Sequence, residues 1–146
     1  MGIYLDTCCW NRLYDDLSVY KNRKQAAAVL KIIKWARQNG VTVWGSDALE
    51  NEISQIQSAD SKKYAYVSRL YRRTITETAE FADTAFGYVE PLAKSAGIAG
   101  IDVHHLAFAV GADADYLITT DEKFIARASG LKVSVRVIDP LNFKYK

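Results

Sequence analysis

Apolar residues recur along this chain in two rhythms, and their alternation predicts the elements. Short unbroken apolar runs bounded by polar residues mark buried strands at 3–6, 41–44, 116–119 and 133–138. Between them, apolar positions return every three or four residues. Ala26, Ala27, Leu30, Ile33 and Trp35 outline a helix over 23–38, which Asn39-Gly40 stops. Gly45 ends the second strand, and Ser46 or Asp47 then caps a helix carrying Leu49, Glu52, Ile53 and Ile56. Tyr64, Val67, Leu70 and Tyr71 share one face of a helix over 62–73. A β-like piece at 74–76 precedes a helix at 83–96, which Gly97-Ile98-Ala99-Gly100 breaks; further helices cover 101–110 and 122–128. Trp10, Leu13, Tyr14 and Leu17 stand at i, i+3, i+4, i+7 spacing, an apolar helical face that is either core or an interface.

Strands separated by helices of ten or more residues require right-handed crossovers and therefore a parallel sheet. The expected fold is α/β, a three-layer α/β/α sandwich with a parallel sheet of four or five strands. A chain of 146 residues fits one domain over 1–146, large enough to bury roughly 68–70% of its unfolded surface. Composition changes this picture little. The hydrophobic share of 49% and charged share of 25% are ordinary, and a net charge of +2 does not argue for nucleic acid. No apolar run approaches the ~20 residues of a membrane span, and no basic-then-apolar leader opens the chain. Cys8 and Cys9 are adjacent, which disfavours a mutual disulfide. A cytoplasmic protein away from membranes is expected, with both thiols reduced and acting as small buried hydrophobes.

Four acids change the picture more. Asp6, Glu52, Asp102 and Asp121 each sit at the edge of an apolar segment, although carboxylates avoid interiors unless paired or bound to a cation. Ligands of an open parallel sheet bind at the carboxyl ends of its strands. Asp6 directly follows the first strand and Asp121 lies two residues beyond Thr119. Glu52 belongs to the helix after the second strand, and Asp102 opens its own helix. Four carboxylates there suit Mg²⁺ or Mn²⁺ and the activation of water against a phosphodiester. Glu50 competes with Glu52, but helical spacing puts Glu52 beside the buried Ile53. Thr119 is placed to orient Asp121 or a water, while Asp115, near the strand's start, has a structural or supporting part. His104 and His105 read as packing or hydrogen-bonding residues on a helix whose inner face is Leu106, Ala109 and Val110. Lys62, Lys63, Arg69, Arg72 and Arg73, interleaved with Tyr64, Tyr66 and Tyr71, form either a face for RNA phosphates and unpaired bases or a solvated helix side. Arg12, next to the first acid, is the better candidate for holding a phosphate.

The chain resembles the PIN-domain family of metal-dependent ribonucleases, which includes VapC-type toxins. Four motifs over nearly the whole chain carry the resemblance: Tyr4-Leu5-Asp6-Thr7, Ser46 with Glu52, Gly97-Ile98 followed by Asp102-Val103-His104-His105-Leu106-Ala107-Phe108-Ala109, and Ala114-Asp115-Tyr116-Leu117-Ile118-Thr119-Thr120-Asp121. The segment Trp10-Asn11-Arg12-Leu13-Tyr14-Asp15-Asp16 departs from the toxin-like members. The resemblance implies an endoribonuclease for single-stranded or structured RNA, with Asp6, Glu52, Asp102 and Asp121 holding the ions and Thr7 supporting them. It further implies an antitoxin partner and a homodimer. A housekeeping RNA-processing nuclease is the second reading. A non-catalytic PIN-like module fits less well, because all four acidic positions are filled. A haloacid-dehalogenase phosphatase needs a second Asp two residues after the first, where Cys8 stands.

Overall fold

The computed structural model describes residues 1–145. Five strands, β1 (Gly2–Leu5), β2 (Thr42–Ser46), β3 (Glu77–Ala79), β4 (Tyr116–Ile118) and β5 (Arg136–Ile138), form one sheet in the order β3-β2-β1-β4-β5. Every pairing is parallel. Seven helices link them: α1 (Thr7–Arg12), α2 (Tyr20–Gln38), α3 (Asp47–Ala59), α4 (Ser61–Thr74), α5 (Asp83–Ser95), α6 (Ile101–Gly111) and α7 (Glu122–Ala128). The result is the three-layer, PIN-like α/β/α sandwich. A central strand of a parallel sheet is covered on both faces and reads as continuously apolar. So it is with β1, all four residues of which are buried. Its register sets Ile3 beside both Val43 and Tyr116, which brings chain segments 40 and 113 positions away to its two flanks.

Local chemistry fixes the ends of the elements. Ser46 caps α3, its Oγ accepting from the Leu49 N–H, and Asp60 caps α4 in the same way through the Lys63 N–H. After α5, the Gly97 N–H bonds the Lys94 carbonyl and the Ile98 N–H reaches back to Ala93, with Gly97 at φ 80°. That is a Schellman stop, and it needs a residue at ease in the left-handed region. Gly45 does not end β2, which runs on to Ser46. Its missing side chain serves another purpose: a Cβ there would overlap the Tyr71 hydroxyl, which accepts the Ser46 N–H.

Several sequence expectations need correction. Trp10, Leu13, Tyr14 and Leu17 do not share a helical face. The helix α1 ends at Arg12 with Leu13 as its cap; Trp10 lies in the core, while Tyr14 and Leu17 are exposed in the following turns. On α2, which begins at Tyr20, Leu30 is 42% exposed, and Val29, Ile32 and Ala36 fill the core beside Ala26 and Ile33. The third strand is at Glu77–Ala79 rather than 74–76, because Thr74 still belongs to α4. Thr76 nonetheless docks on β2, its hydroxyl accepting the Val43 N–H and its own N–H bonding the Val43 carbonyl. The last strand is only Arg136–Ile138, since the three residues of β4 offer partners to no more than these.

Candidate metal centre

Asp6, Glu52 and His105 meet at the carboxyl end of β1. Asp6 is the N-cap of α1 and only 7% exposed. Its Oδ1 accepts the Thr7 N–H at 2.7 Å and its Oδ2 accepts the Thr119 hydroxyl at 2.8 Å. Glu52, two turns into α3, accepts at Oε1 from the Thr7 hydroxyl and pairs there with His105 Nε2, both at 2.5 Å. His105, on α6, is wholly buried, and its Nε2 lies 3.4 Å from Asp6 Oδ1. One donor atom from each of the three falls within 4.8 Å of the others. Among the described residues this is the group of His, Cys, Asp and Glu side chains placed to hold a metal ion. Two carboxylates and an imidazole form a donor set that suits a divalent cation.

The imidazole is anchored from behind. Its Nδ1 meets the Tyr4 hydroxyl at 2.6 Å, and that hydroxyl meets Ser46 Oγ at 2.7 Å. Tyr4 and Ser46 are both fully buried, so this chain of hydroxyls is shielded from water. Burial pushes the His105 pKa down, but the Glu52 hydrogen bond and the charges of Asp6, Glu52 and Asp102 outweigh it, and the net shift is upward. Burial raises Glu52 in turn, and the hydrogen bonds from His105 and Thr7 bring it below the usual carboxylate range.

The other sequence-derived candidates take varied places. Asp102, half-buried in the first turn of α6, is pushed up to about 6 by burial first and then by the charges of Asp6 and Asp121. It feels the centre electrostatically but stands outside the tight trio. Asp121 is exposed and caps α7, its Oδ1 accepting from the Lys123 and Phe124 N–H groups. Thr119 ties Asp121 to the centre: the hydroxyl that donates to Asp6 also accepts the Asp121 N–H at 3.2 Å. Asp115 lies at the opposite end of the strands, where Oδ2 accepts the Gly2 N–H at 2.9 Å. Arg12 is engaged with Asp15 and Asn22 at 3.0 Å and with Thr120 at 2.8 Å. Lys63 reaches Asp15 at 3.8 Å, while Lys62 and Arg69 are exposed on α4. Glu50 accepts from the Tyr71 hydroxyl, away from Glu52. Cys9 is buried, its pKa raised well up by that burial, but Cys8 is more than a space-filler. Its sulfur contacts Thr119 Oγ1 and the Thr120 N–H at 3.3 Å, and the Cys9 thiol holds its pKa below the usual range.

His105 does hydrogen-bond, as read from the sequence, but its position among the acids was not foreseen. The signal was available, since His105 is three residues beyond Asp102 and shares its helix face. Nothing in an apolar run such as Ile3-Tyr4-Leu5 distinguishes Tyr4 as the imidazole's partner.

No family model matches the chain, and no curated protein matches it in sequence. Solved structures do match in fold. One is the crystal structure of VapBC2 from Rickettsia felis bound to a DNA fragment from its promoter; the TM-score is 0.66 at 15% identity, over 94% of this chain and 97% of that one. Another is FitAcB from Neisseria gonorrhoeae, with a TM-score of 0.62 at 18% identity, over 97% of this chain and 99% of the other. Among the described residues no helix is long and apolar enough to cross a membrane.

Proposed function

We propose that this chain, as one PIN-like domain over 1–146, is a metal-dependent endoribonuclease that cuts single-stranded regions of RNA. The convergence of Asp6, Glu52 and His105 at the carboxyl edge of the sheet, with Asp102 and Asp121 at its margin, supports this reading. Asp6 and Glu52 would hold Mg²⁺ or Mn²⁺, with Asp102 and Asp121 completing the anionic wall. A cation there supplies Lewis acidity toward a phosphodiester and a nucleophile from water at neutral pH. Thr7 and Thr119 orient Glu52 and the buried Asp6 by donating to them, so neither rotates away from the crevice. The α4 cations Lys62 and Arg69 would bind RNA backbone, and Arg12, which donates to Thr120, would add its charge to theirs.

The two fold neighbours carry names of paired assemblies, VapBC2 and FitAcB. We therefore favour a cytoplasmic, homodimeric toxin held by an antitoxin protein over a housekeeping RNA-processing enzyme or a non-catalytic module. A generic single-stranded RNA incubated with purified protein tests the activity. Cleavage should require Mg²⁺ or Mn²⁺, stop with EDTA, and be lost in Asp6→Asn. Intact RNA under all metal conditions would overturn it. Growth arrest on expression, relieved by a small protein encoded next to this one, would separate toxin from housekeeping enzyme.

A further inference from the structure

We infer that His105 is itself a ligand of the cation, through Nε2, and that this nitrogen makes the centre prefer a first-row transition ion over Mg²⁺. The inference rests on the metal-dependent reading above and adds the choice of metal. Its starting point is the position of the imidazole. A histidine that merely packed would have no reason to bring Nε2 to 2.5 Å from one acid and 3.4 Å from another in a fully buried setting. Without a cation, the Nε2 proton lies between the ring and Glu52. A cation needs the Nε2 lone pair instead, so the remaining proton must sit on Nδ1 and find an acceptor there.

The residues behind the ring provide one. Tyr4 and Ser46 are both hydroxyls, and each can donate or accept. With Nε2 protonated, Tyr4 donates to Nδ1 and accepts from Ser46. With Nε2 free, the same contacts of 2.6 and 2.7 Å serve in reverse: Nδ1–H donates to Tyr4 and Tyr4 donates to Ser46. Ser46 is fixed in either case, because its Oγ also accepts the Leu49 N–H at 3.2 Å. A carboxylate or carbonyl in Tyr4's place could only accept and would hold the proton on Nδ1 permanently, whereas the hydroxyl serves both forms. Ligating histidines characteristically donate their second ring N–H to an ordered acceptor, and Tyr4 is that acceptor. A nitrogen in the ligand set matters for selection, since Mg²⁺ takes oxygen donors while imidazole suits transition ions.

The chain has only two histidines, which makes the test direct. Untagged protein is loaded with Mn²⁺, and the electron spin-echo modulation of the bound ion is recorded. Nitrogen modulation is expected in the wild type and in His104→Gln, whose parent side chain is exposed and stacked on Phe86. It should be absent in His105→Gln. Calorimetric titration should show Mn²⁺ binding at least about tenfold more tightly than Mg²⁺, with Tyr4→Phe weakening Mn²⁺ about 10- to 100-fold and Mg²⁺ far less. Tyr4→Phe keeps the ring that fills the core, so its effect is readable even if His105→Gln fails to fold. Bound Mn²⁺ with no nitrogen modulation would overturn the ligand assignment while leaving the nuclease reading intact. Failure of every divalent ion to bind would overturn both.

Discussion

Asp6 and Asp115 stand at opposite edges of the same sheet and show how differently one residue type can be used. Asp115, on the amino-terminal side, gives one oxygen to the Gly2 N–H and closes the start of β1 against β4. It is exposed, and no pKa shift of another group traces to it among the described residues. Asp6 is buried, accepts from Thr7 and Thr119, and its charge pulls the pKa values of Tyr4, Cys8, Asp102 and His105 upward. One acid is consumed by the fold. The other also caps α1, but its field reaches the groups of the crevice, where the proposed cation would meet it.

The sharpest way to break this comparison is activity. Asp6→Asn and Glu52→Gln should each reduce RNA cleavage by about two orders of magnitude or more, since each removes a charge proposed to hold the ion. Asp115→Asn and Glu50→Gln should leave the rate within about twofold, as measured with a fluorescent single-stranded RNA. Loss of activity in Glu50→Gln with activity kept in Glu52→Gln would reverse the assignment of the second acid.

Metal-linked stability comes next. Mn²⁺ at about 100 times its Kd should stabilise the protein by roughly 2.7 kcal/mol, or about 5–11 °C in Tm for a domain of this size. Calorimetric scans with Mn²⁺ or EDTA should show the full shift in Asp115→Asn and none in Asp6→Asn. A melting curve indifferent to both additives would remove the contrast between the two edges.

Smaller still is the structural share of Asp115. Asp115→Ala forfeits one part-buried, charge-assisted hydrogen bond and should cost about 1 kcal/mol in urea unfolding, equally with and without Mn²⁺. The smallest effect is a pH dependence. The folded pKa of Asp102 is raised to about 6 from an ordinary value near 3.8. Its contribution to stability is therefore fully present below about pH 4 and is lost as pH rises through 6. In EDTA, Asp102→Asn should gain on the wild type between pH 5 and 8, by less than about 1 kcal/mol because the half-buried group is screened by water.

How much of this was written in the sequence depends on whether a signal is local. Asp6, Thr119 and Asp121 were legible because each follows an apolar run, and the end of a buried parallel strand has only one functional edge. The helices α4, α5, α6 and α7 were legible to within a residue or so, α5 through its stop at Gly97, and α3 was legible at its Ser46 cap. The helix α1 was not: six residues directly after Asp6 give too short a stretch for periodicity, and Trp10 and Leu13 mimic a longer face. The limits of β5 depend on how many partners β4 offers, which no residue of 133–138 encodes. His105 was hidden differently. Its type was noted, but its role comes from Glu52, Tyr4 and Asp6, residues 53, 101 and 99 positions away along the chain, on three other segments.

The register of β1 has a consequence for the order in which the molecule is made. Its second flank is β4, and Thr119, which holds Asp6, follows that strand. A chain emerging from the ribosome presents Asp6 and then Glu52 well before β4, yet the crevice cannot close until Thr119 has also left the exit tunnel. Long-range parallel pairing of this kind forms late, because the loop it closes is large. Assembly of the centre is thus deferred until β4 and Thr119 are available, and a nascent chain stalled before that point has Asp6 and Glu52 but no crevice to hold them together.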